Sequence, residues 1–319
     1  MARTRISTIV KRNAKFAAQN RRPHHCEGVV CVFAGAMSGI GAKTLERMLT
    51  MFYHSATFYV LGQYAKGSQG HRKRLLDALS NRGCKIVYIE ADVSLTSDMD
   101  AASKLIAAAE SKVDYLCMSK DDVLPNGAKF TKDGYDTHVS IWYLARMRLL
   151  SNLLPLLSQA REPRVLDILN DGLDEANEEA YKGRYGWGSI QKYSAVLTNL
   201  VFHHLALEYR NIAFILSPMV PENEETPHLS DAIGNSGPLL RAWRGVLDVA
   251  RNIAGSEHDE ALERHLYYLT NASYSPGPFF IDRLGELLPS SPPDQPWCDI
   301  EASAPAWKFT IDAWYRMML

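Results

Sequence analysis

The chain has 319 residues, 46% of them hydrophobic, which is enough for one large domain with a substantial core. Its 22% of charged residues and formal net charge of −1 exclude a disordered chain and a globally basic nucleic-acid binder. Residues 1–26 hold seven Lys/Arg and no acid, so 28 bases remain against 36 acids, a net charge of −8, in the rest. We expect residues 1–27 to form a basic arm that packs on the domain, although its composition also fits a mitochondrial transit peptide.

The absence of targeting and metal-binding patterns predicts where the protein is located and the redox state of its cysteines. No apolar run reaches the ~18 residues of a membrane span, and the N-terminus has no signal-peptide core, so we expect a cytoplasmic protein. The five cysteines are an odd number without CxxC spacing, which favours reduced thiols over disulfides or zinc ligands. No metal site is predicted.

Short apolar runs alternate with helical patterns along most of the chain. The runs predict strands at 29–36, 56–62, 85–93, 113–119, 164–170, 211–217 and 265–271. Helical patterns lie at 41–53, 70–82, 97–111, 137–159, 189–209 and 238–254. Strands that are apolar on both faces and separated by helices predict an α/β fold, a single Rossmann-type doubly wound parallel sheet of about seven strands.

The domain is expected to span residues 28–285. Residues 218–240 are rich in Pro, Asn, Gly and Ser, which is typical of a long loop and, in this fold, of a substrate lid. The Pro/Ser-rich stretch at 288–296 lies in a C-terminal tail, 286–319, whose Trp307 and Trp314 fit either packing on the domain or an oligomer contact.

A glycine-rich turn, Ala34 to Gly41, follows the first predicted strand and opens the next helix with the spacing GxxxGxG. Gly35 allows the tight turn, Gly39 lets backbone N–H groups approach a pyrophosphate, and Gly41 lets the helix pack against the sheet. The turn therefore predicts a dinucleotide site.

This turn, together with Asp92-Val93 after the third strand, resembles the short-chain dehydrogenase/reductase (SDR) family. The segments at 32–45, 140–157 and 263–274 resemble a divergent fungal branch of it. The resemblance implies cofactor-binding roles for Gly35, Ser38, Gly39, Ile40, Gly41, Gln63, Asp92 and Val93.

The resemblance also bears on the choice of cofactor. NAD-specific members carry an acid at the end of the second strand, where this chain has Gln63, followed by Arg72, Lys73 and Arg74. Any cofactor is then NADP(H), although the basic cluster equally fits a solvated helix start.

The redox machinery of the family is largely missing. Family members use a Tyr, a Lys four residues later and a Ser, but no YxxxK occurs in this chain. Tyr185 lies one residue from the position of the family Tyr, and Lys192 is the nearest cation on that helix. Asn170 stands where the Ser is usual, and Asp171 after it is a candidate acid or base.

The adenosine half of the family pattern thus survives, whereas the nicotinamide half is eroded. We expect an SDR-like enzyme of fungal secondary metabolism that acts on a small hydrophobic metabolite in a non-redox step: cyclisation, isomerisation or dehydration. In that case NADP(H) is dispensable or lost. One alternative is an NADP(H)-dependent ketoreductase with Tyr185 as a displaced acid. A second is a catalytically silent protein that binds a dinucleotide or a partner. In the family the helix corresponding to 142–157 often forms a dimer interface, so a homodimer is one expected assembly.

Overall fold

The computed structural model describes residues 4–20, 28–52, 56–63, 84–119, 129–169, 187–218, 260–271, 274, 276–281, 285, 287–288 and 300–316. They contain one seven-stranded sheet, parallel throughout, in the order β3-β2-β1-β4-β5-β6-β7. The strands are β1 Val29–Ala34, β2 Ala56–Gly62, β3 Lys85–Glu90, β4 Tyr115–Met118, β5 Arg164–Leu169, β6 Ala213–Pro218 and β7 Gly277–Phe280. The predicted doubly wound α/β fold is confirmed. The strand order reverses between β1 and β4, and ligands of such sheets bind beyond the strand ends at this point.

Helices cover both faces of the sheet. They are α1 Ile6–Gln19, α2 Gly39–Leu49, α3 Thr96–Ala109, α4 Ala145–Leu157, α5 Trp187–Glu208, α6 at 260–270 and α7 Ser303–Arg316. A helical turn, Thr137–Val139, and a π-helical segment, Ser140–Leu144, lead into α4. Within the described ranges no helix is both long and apolar enough to cross a membrane.

The sheet separates two apolar clusters. Val32 of β1 faces the cluster shared with α3, α4 and α5, and the next residue, Phe33, faces the cluster shared with α1, α2 and α6. Both side chains are fully buried. The strands therefore have no polar face, as expected of a parallel sheet with helices on both sides.

The strand predicted at 265–271 is wrong, because residues 265–270 belong to helix α6. Leu262, Leu266 and Leu269 recur at spacings of four and three, so one side of a helix brings them all into the cluster on the α2 face. The seventh strand is instead the short β7, which begins at Gly277. The helices predicted at 70–82 and 238–254 lie outside the described residues.

The basic arm packs on the domain through α1. Ile9 is fully buried, and the amide Nδ2 of Asn13 donates to the backbone oxygen of Glu263 on α6 at 2.8 Å. The Glu263 carboxylate accepts from Asn13 at 2.7 Å and from Nε of Arg47 on α2 at 2.9 Å. A single partly buried carboxylate thus joins α1, α2 and α6.

The C-terminal helix α7 lies along α5, and some of its side chains also contact the π-helical segment and α4. The hydroxyls of Tyr143 and Thr310 are hydrogen-bonded, and Nε1 of Trp314 donates to the carbonyl of Leu144 at 3.3 Å. The guanidinium of Arg148 lies 5.1 Å from the Trp314 ring centroid, a cation–π contact. Helix α7 of the tail therefore packs on the domain, which is one of the two alternatives that the sequence left open.

Candidate functional site

The glycine turn is held against the end of β4. The N–H of Gly35 donates to the carbonyl of Leu61 at 3.1 Å, and Oγ of Ser119 donates to the carbonyl of Gly35 at 2.8 Å. Gly35 has φ +74°, and a Cβ on it would lie 2.9 Å from the carbonyl carbon of Ser119. A Cβ on Gly41 would lie 2.7 Å from the carbonyl oxygen of Gly35. Only glycine fits at either position.

Gly39 differs from these two because it faces open space. It has φ +56°, and nothing lies within 4 Å of the point where a Cβ would sit. Gly39, Ile40 and Gly41 open α2 after its N-cap, Ser38, so their N–H groups have no partner within the helix. The positive end of the helix dipole lies here, and it favours an anion such as a diphosphate.

The ends of β2 and β3 bring two of the predicted cofactor residues together. Nε2 of Gln63 donates to Oδ2 of Asp92 at 3.0 Å. Oδ1 of Asp92 accepts from the N–H of Ser94 at 2.9 Å and from its hydroxyl at 2.6 Å. These bonds fix the Asp92 carboxylate. Gln63 is exposed and neutral at the position where an NAD-specific site has an acid.

A small cavity lies directly beneath the glycine turn. Its walls include Ala34, Val93 and Ser119, together with Arg146 from the start of α4. Val93 is half-buried and the other three are buried. The cavity thus connects a predicted cofactor residue with a buried cation that the sequence analysis missed.

Arg146 forms a buried ion pair with Asp167 of β5, and the two side chains are 6% and 0% exposed. Burial raises the pKa of the Asp167 carboxyl, and the adjacent guanidinium of Arg146 opposes this rise. One sequence signal was available for Asp167, which is a lone acid within the apolar run of β5, whereas Arg146 lies two residues from Arg148 and carries no such signal. Their pairing, 21 residues apart along the chain, depends on the fold.

Of the predicted catalytic residues, only Lys192 lies among the described residues. Tyr185, Asn170 and Asp171 lie outside the described residues, as do Arg72, Lys73 and Arg74. Lys192 lies on α5 and is half-buried. Tyr193 on the same helix is 62% exposed, because α5 buries the side formed by Ser194, Ala195 and Thr198.

A buried histidine beside the end of β6 was also missed. His265 of α6 is 2% exposed, and its imidazole donates to the carbonyl of Pro218, the last residue of β6. Burial lowers the pKa of His265 to about 4, so the ring is neutral near pH 7. His265 could not be identified from the sequence because residues 265–271 were predicted as a strand, whereas His265 lies on helix α6.

Comparison with known proteins gives sequence relatives among fungi, although no family model matches. Oxidoreductase AN1596 of Emericella nidulans is 29% identical over 251 residues, covering 77% of this chain and 73% of that protein. The NmrA-like family domain-containing oxidoreductase notO of an Aspergillus species is 29% identical over 257 residues, covering 78% and 72%. The short-chain dehydrogenase/reductase SAT2 of Stachybotrys chartarum is 25% identical over 204 residues, covering 57% and 56%.

Solved structures share the fold at low identity. The RhlG/NADP active-site complex of Pseudomonas aeruginosa superposes with a TM-score of 0.55 at 16% identity, covering 80% of this chain and 95% of that one. A short-chain dehydrogenase of Shigella flexneri gives 0.52 at 14% identity, covering 80% and 91%.

The fold is therefore that of the short-chain dehydrogenases/reductases. Within that class the chain is similar to a divergent fungal branch, as its sequence motifs indicate, and the comparisons support an SDR-like enzyme in general.

Proposed function

We propose that the chain is an NADP(H)-dependent oxidoreductase that acts on a small, largely apolar metabolite. The observation that carries the proposal is the glycine turn. Gly35 and Gly41 are packed so closely that a side chain is excluded, whereas Gly39 is open to an approaching ligand. The fungal relatives are named oxidoreductases, and this supports the same function.

The proposed roles follow the order of the elements along the ligand-binding edge. The first N–H groups of α2, from Gly39 to Gly41, hold the diphosphate, with Ser38 beside them. Gln63 and the Asp92-Val93 pair border the adenosine, and a neutral Gln63 leaves room for a 2′-phosphate.

The proposed chemistry divides between cofactor and chain. NADPH, when bound, supplies a hydride. Tyr185 supplies the proton, and the Lys192 ammonium lowers the pKa of a phenol whose reference value is ~10. Asn170 donates a hydrogen bond to the substrate oxygen, and Asp171 is the alternative acid.

A non-redox step is the second candidate, and the missing YxxxK favours it. In that case the same pocket performs a cyclisation, isomerisation or dehydration in which Tyr185 or Asp171 moves a proton. The bound dinucleotide is then dispensable.

The experiment incubates the protein with NADPH and a panel of apolar ketones and aldehydes. It follows NADPH by absorbance and products by mass spectrometry. We expect turnover that falls by ~10² or more in Tyr185→Phe and Lys192→Met, because general acid catalysis is lost. Tyr193→Phe is the matched control, since this tyrosine is exposed and lies next to Lys192 on α5.

The outcomes separate the candidates. Product formed without NADPH consumption would support the non-redox step. Saturable NADPH binding without any product would leave a dinucleotide-binding protein without catalysis.

A further inference from the structure

We propose that the buried pair Arg146–Asp167 is a positioning device that locks the π-helical segment Ser140–Leu144 onto the sheet directly beneath the dinucleotide site. The expected effect of the pair on dinucleotide binding rests on the proposed function. The locking itself is independent of any cofactor.

The sheet register places the pair at the level of the site. Ala34, the last residue of β1, lies opposite Met118, the last residue of β4, and Met118 lies opposite Asp167. Asp167 therefore shares one row across the sheet with the residue that precedes Gly35. Arg146 reaches the same level, because it lines the cavity with Ala34 and Ser119.

The guanidinium of Arg146 binds two segments at once. Its Nε donates to the carbonyl of Ile141 in the π-helical segment at 3.0 Å. Its Nη1 contacts Oδ1 of Asp167 and donates to the carbonyl of Ile168 at 3.2 Å. Ile141 and Ile168 lie on different elements, so one side chain fixes the π-helical segment to β5.

The π-helical segment needs such a fixing group. Here the N–H of Ala145 bonds the carbonyl of Ser140, five residues back, instead of the carbonyl of Ile141. The Ile141 carbonyl, which an α-helix would pair with this N–H, accepts from Arg146 instead. π-helical turns are uncommon and often occur at functional sites.

Stability alone does not account for the pair. Withdrawing two charges from water is costly, and a protein with apolar residues of similar volume in their place is often as stable or more stable. Among the residues that the structure describes, neither Nη2 of Arg146 nor Oδ2 of Asp167 has a hydrogen-bond partner. The desolvation cost of this pair is therefore explained by the geometry that the pair imposes on the π-helical segment beside the glycine turn.

The test compares Arg146→Met/Asp167→Leu with wild type and with the single variant Arg146→Met. The matched control is Asp100→Asn, which breaks a partly exposed ion pair, joined at 2.6 and 2.9 Å, between α3 and Arg148 of the same helix α4 and leaves Arg148 on the Trp314 ring. Three quantities are measured: the melting temperature, amide hydrogen exchange of residues 137–144, and the dissociation constant for NADPH.

We expect the double variant to melt at or above the wild-type temperature, while Arg146→Met alone melts lower because it leaves a buried carboxylate unpaired. In the double variant the amides of 137–144 should exchange at least tenfold faster, and NADPH should bind at least tenfold more weakly. The control Asp100→Asn should change neither exchange at 137–144 nor NADPH binding.

Wild-type exchange rates in the double variant would overturn the proposal, and so would a melting temperature as low as that of Arg146→Met. Unchanged NADPH affinity together with fast exchange would overturn the link to the site. If the wild type binds no NADPH, the proposed function fails, while hydrogen exchange still decides whether the pair locks the π-helical segment.

Discussion

The hydroxyl of Ser119 donates a 2.8 Å hydrogen bond to the carbonyl oxygen of Gly35, across the gap where the strand order reverses. This contact ties the end of β4 to the glycine turn at the point where a ligand of such a sheet binds. The backbone carbonyl of the same Ser119 lies against the point where a Cβ on Gly35 would sit, so the turn tolerates no side chain there.

Gly35→Ala should therefore lower the free energy of unfolding by about 2 kcal/mol more than Gly28→Ala, measured by urea denaturation. Both glycines have positive φ, +74° and +71°, so both variants incur backbone strain of ~1 to 2 kcal/mol. Only Gly35 has the Ser119 carbonyl against its missing Cβ, whereas the space around Gly28 is open. Equal losses in the two variants would contradict the packed turn.

The contacts of α7 predict a strong contrast between two aromatic residues on one helix. Trp314 is 4% exposed, and its indole bonds Leu144, whereas Phe309 is 56% exposed. Trp314→Ala should lower the free energy of unfolding by about 3 kcal/mol, and Phe309→Ala by less than about 0.5 kcal/mol. Similar small losses in the two variants would show that α7 does not pack as described.

The buried His265 predicts sensitivity to acid. Its pKa is about 4 in the fold against ~6.5 when unfolded, so the unfolded chain binds the proton first as the pH falls. The contribution to stability is complete above pH ~6.5 and is lost progressively toward pH ~4, to a total of about 3 kcal/mol. Burial lowers the pKa of His203 as well, so that residue acts in the same direction.

His265→Gln should flatten this pH dependence, measured as the free energy of unfolding between pH ~7 and ~4.5. His204→Gln is the control, because this histidine lies beside Glu208 at 3.2 Å on α5. The same slope in wild type and His265→Gln would exclude His265 as the source.

Gln63 predicts which dinucleotide is preferred. Gln63→Glu places a carboxylate near the 2′-phosphate proposed for NADPH, and like charges repel. It should weaken NADPH binding by about tenfold relative to NADH. Gln63→Met loses the bond to Asp92 without adding charge, so it should leave the NADPH/NADH ratio of affinities near the wild-type value. A ratio that Gln63→Glu does not change would place the ribose elsewhere.

The first six strands could be predicted from sequence because each is apolar on both faces and lies between helical patterns. The run at 265–271 has a similar composition, and only the spacing of Leu262, Leu266 and Leu269 marks it as a helix. The true β7 is four residues long and begins with Gly277-Pro278, so neither its length nor its composition signals a strand.

The candidate site likewise has one part that could be predicted from the sequence and one part that could not. The glycine turn is local in sequence, so its three glycines could be assigned from spacing. The Arg146–Asp167 pair and the bond from His265 to Pro218 join distant segments. Nothing in a local pattern specifies which buried charge or imidazole meets which partner, since the crossing of the elements decides it.

Calorimetric titration with NADPH, comparing wild type with Gly39→Trp and Gly28→Trp, tests the dinucleotide site most directly. Both glycines have positive φ and open surroundings, but Gly28 precedes β1 at the opposite edge of the sheet. The account predicts micromolar NADPH binding to wild type and Gly28→Trp, and its loss in Gly39→Trp. No binding to wild type, or equal binding to all three proteins, would contradict it.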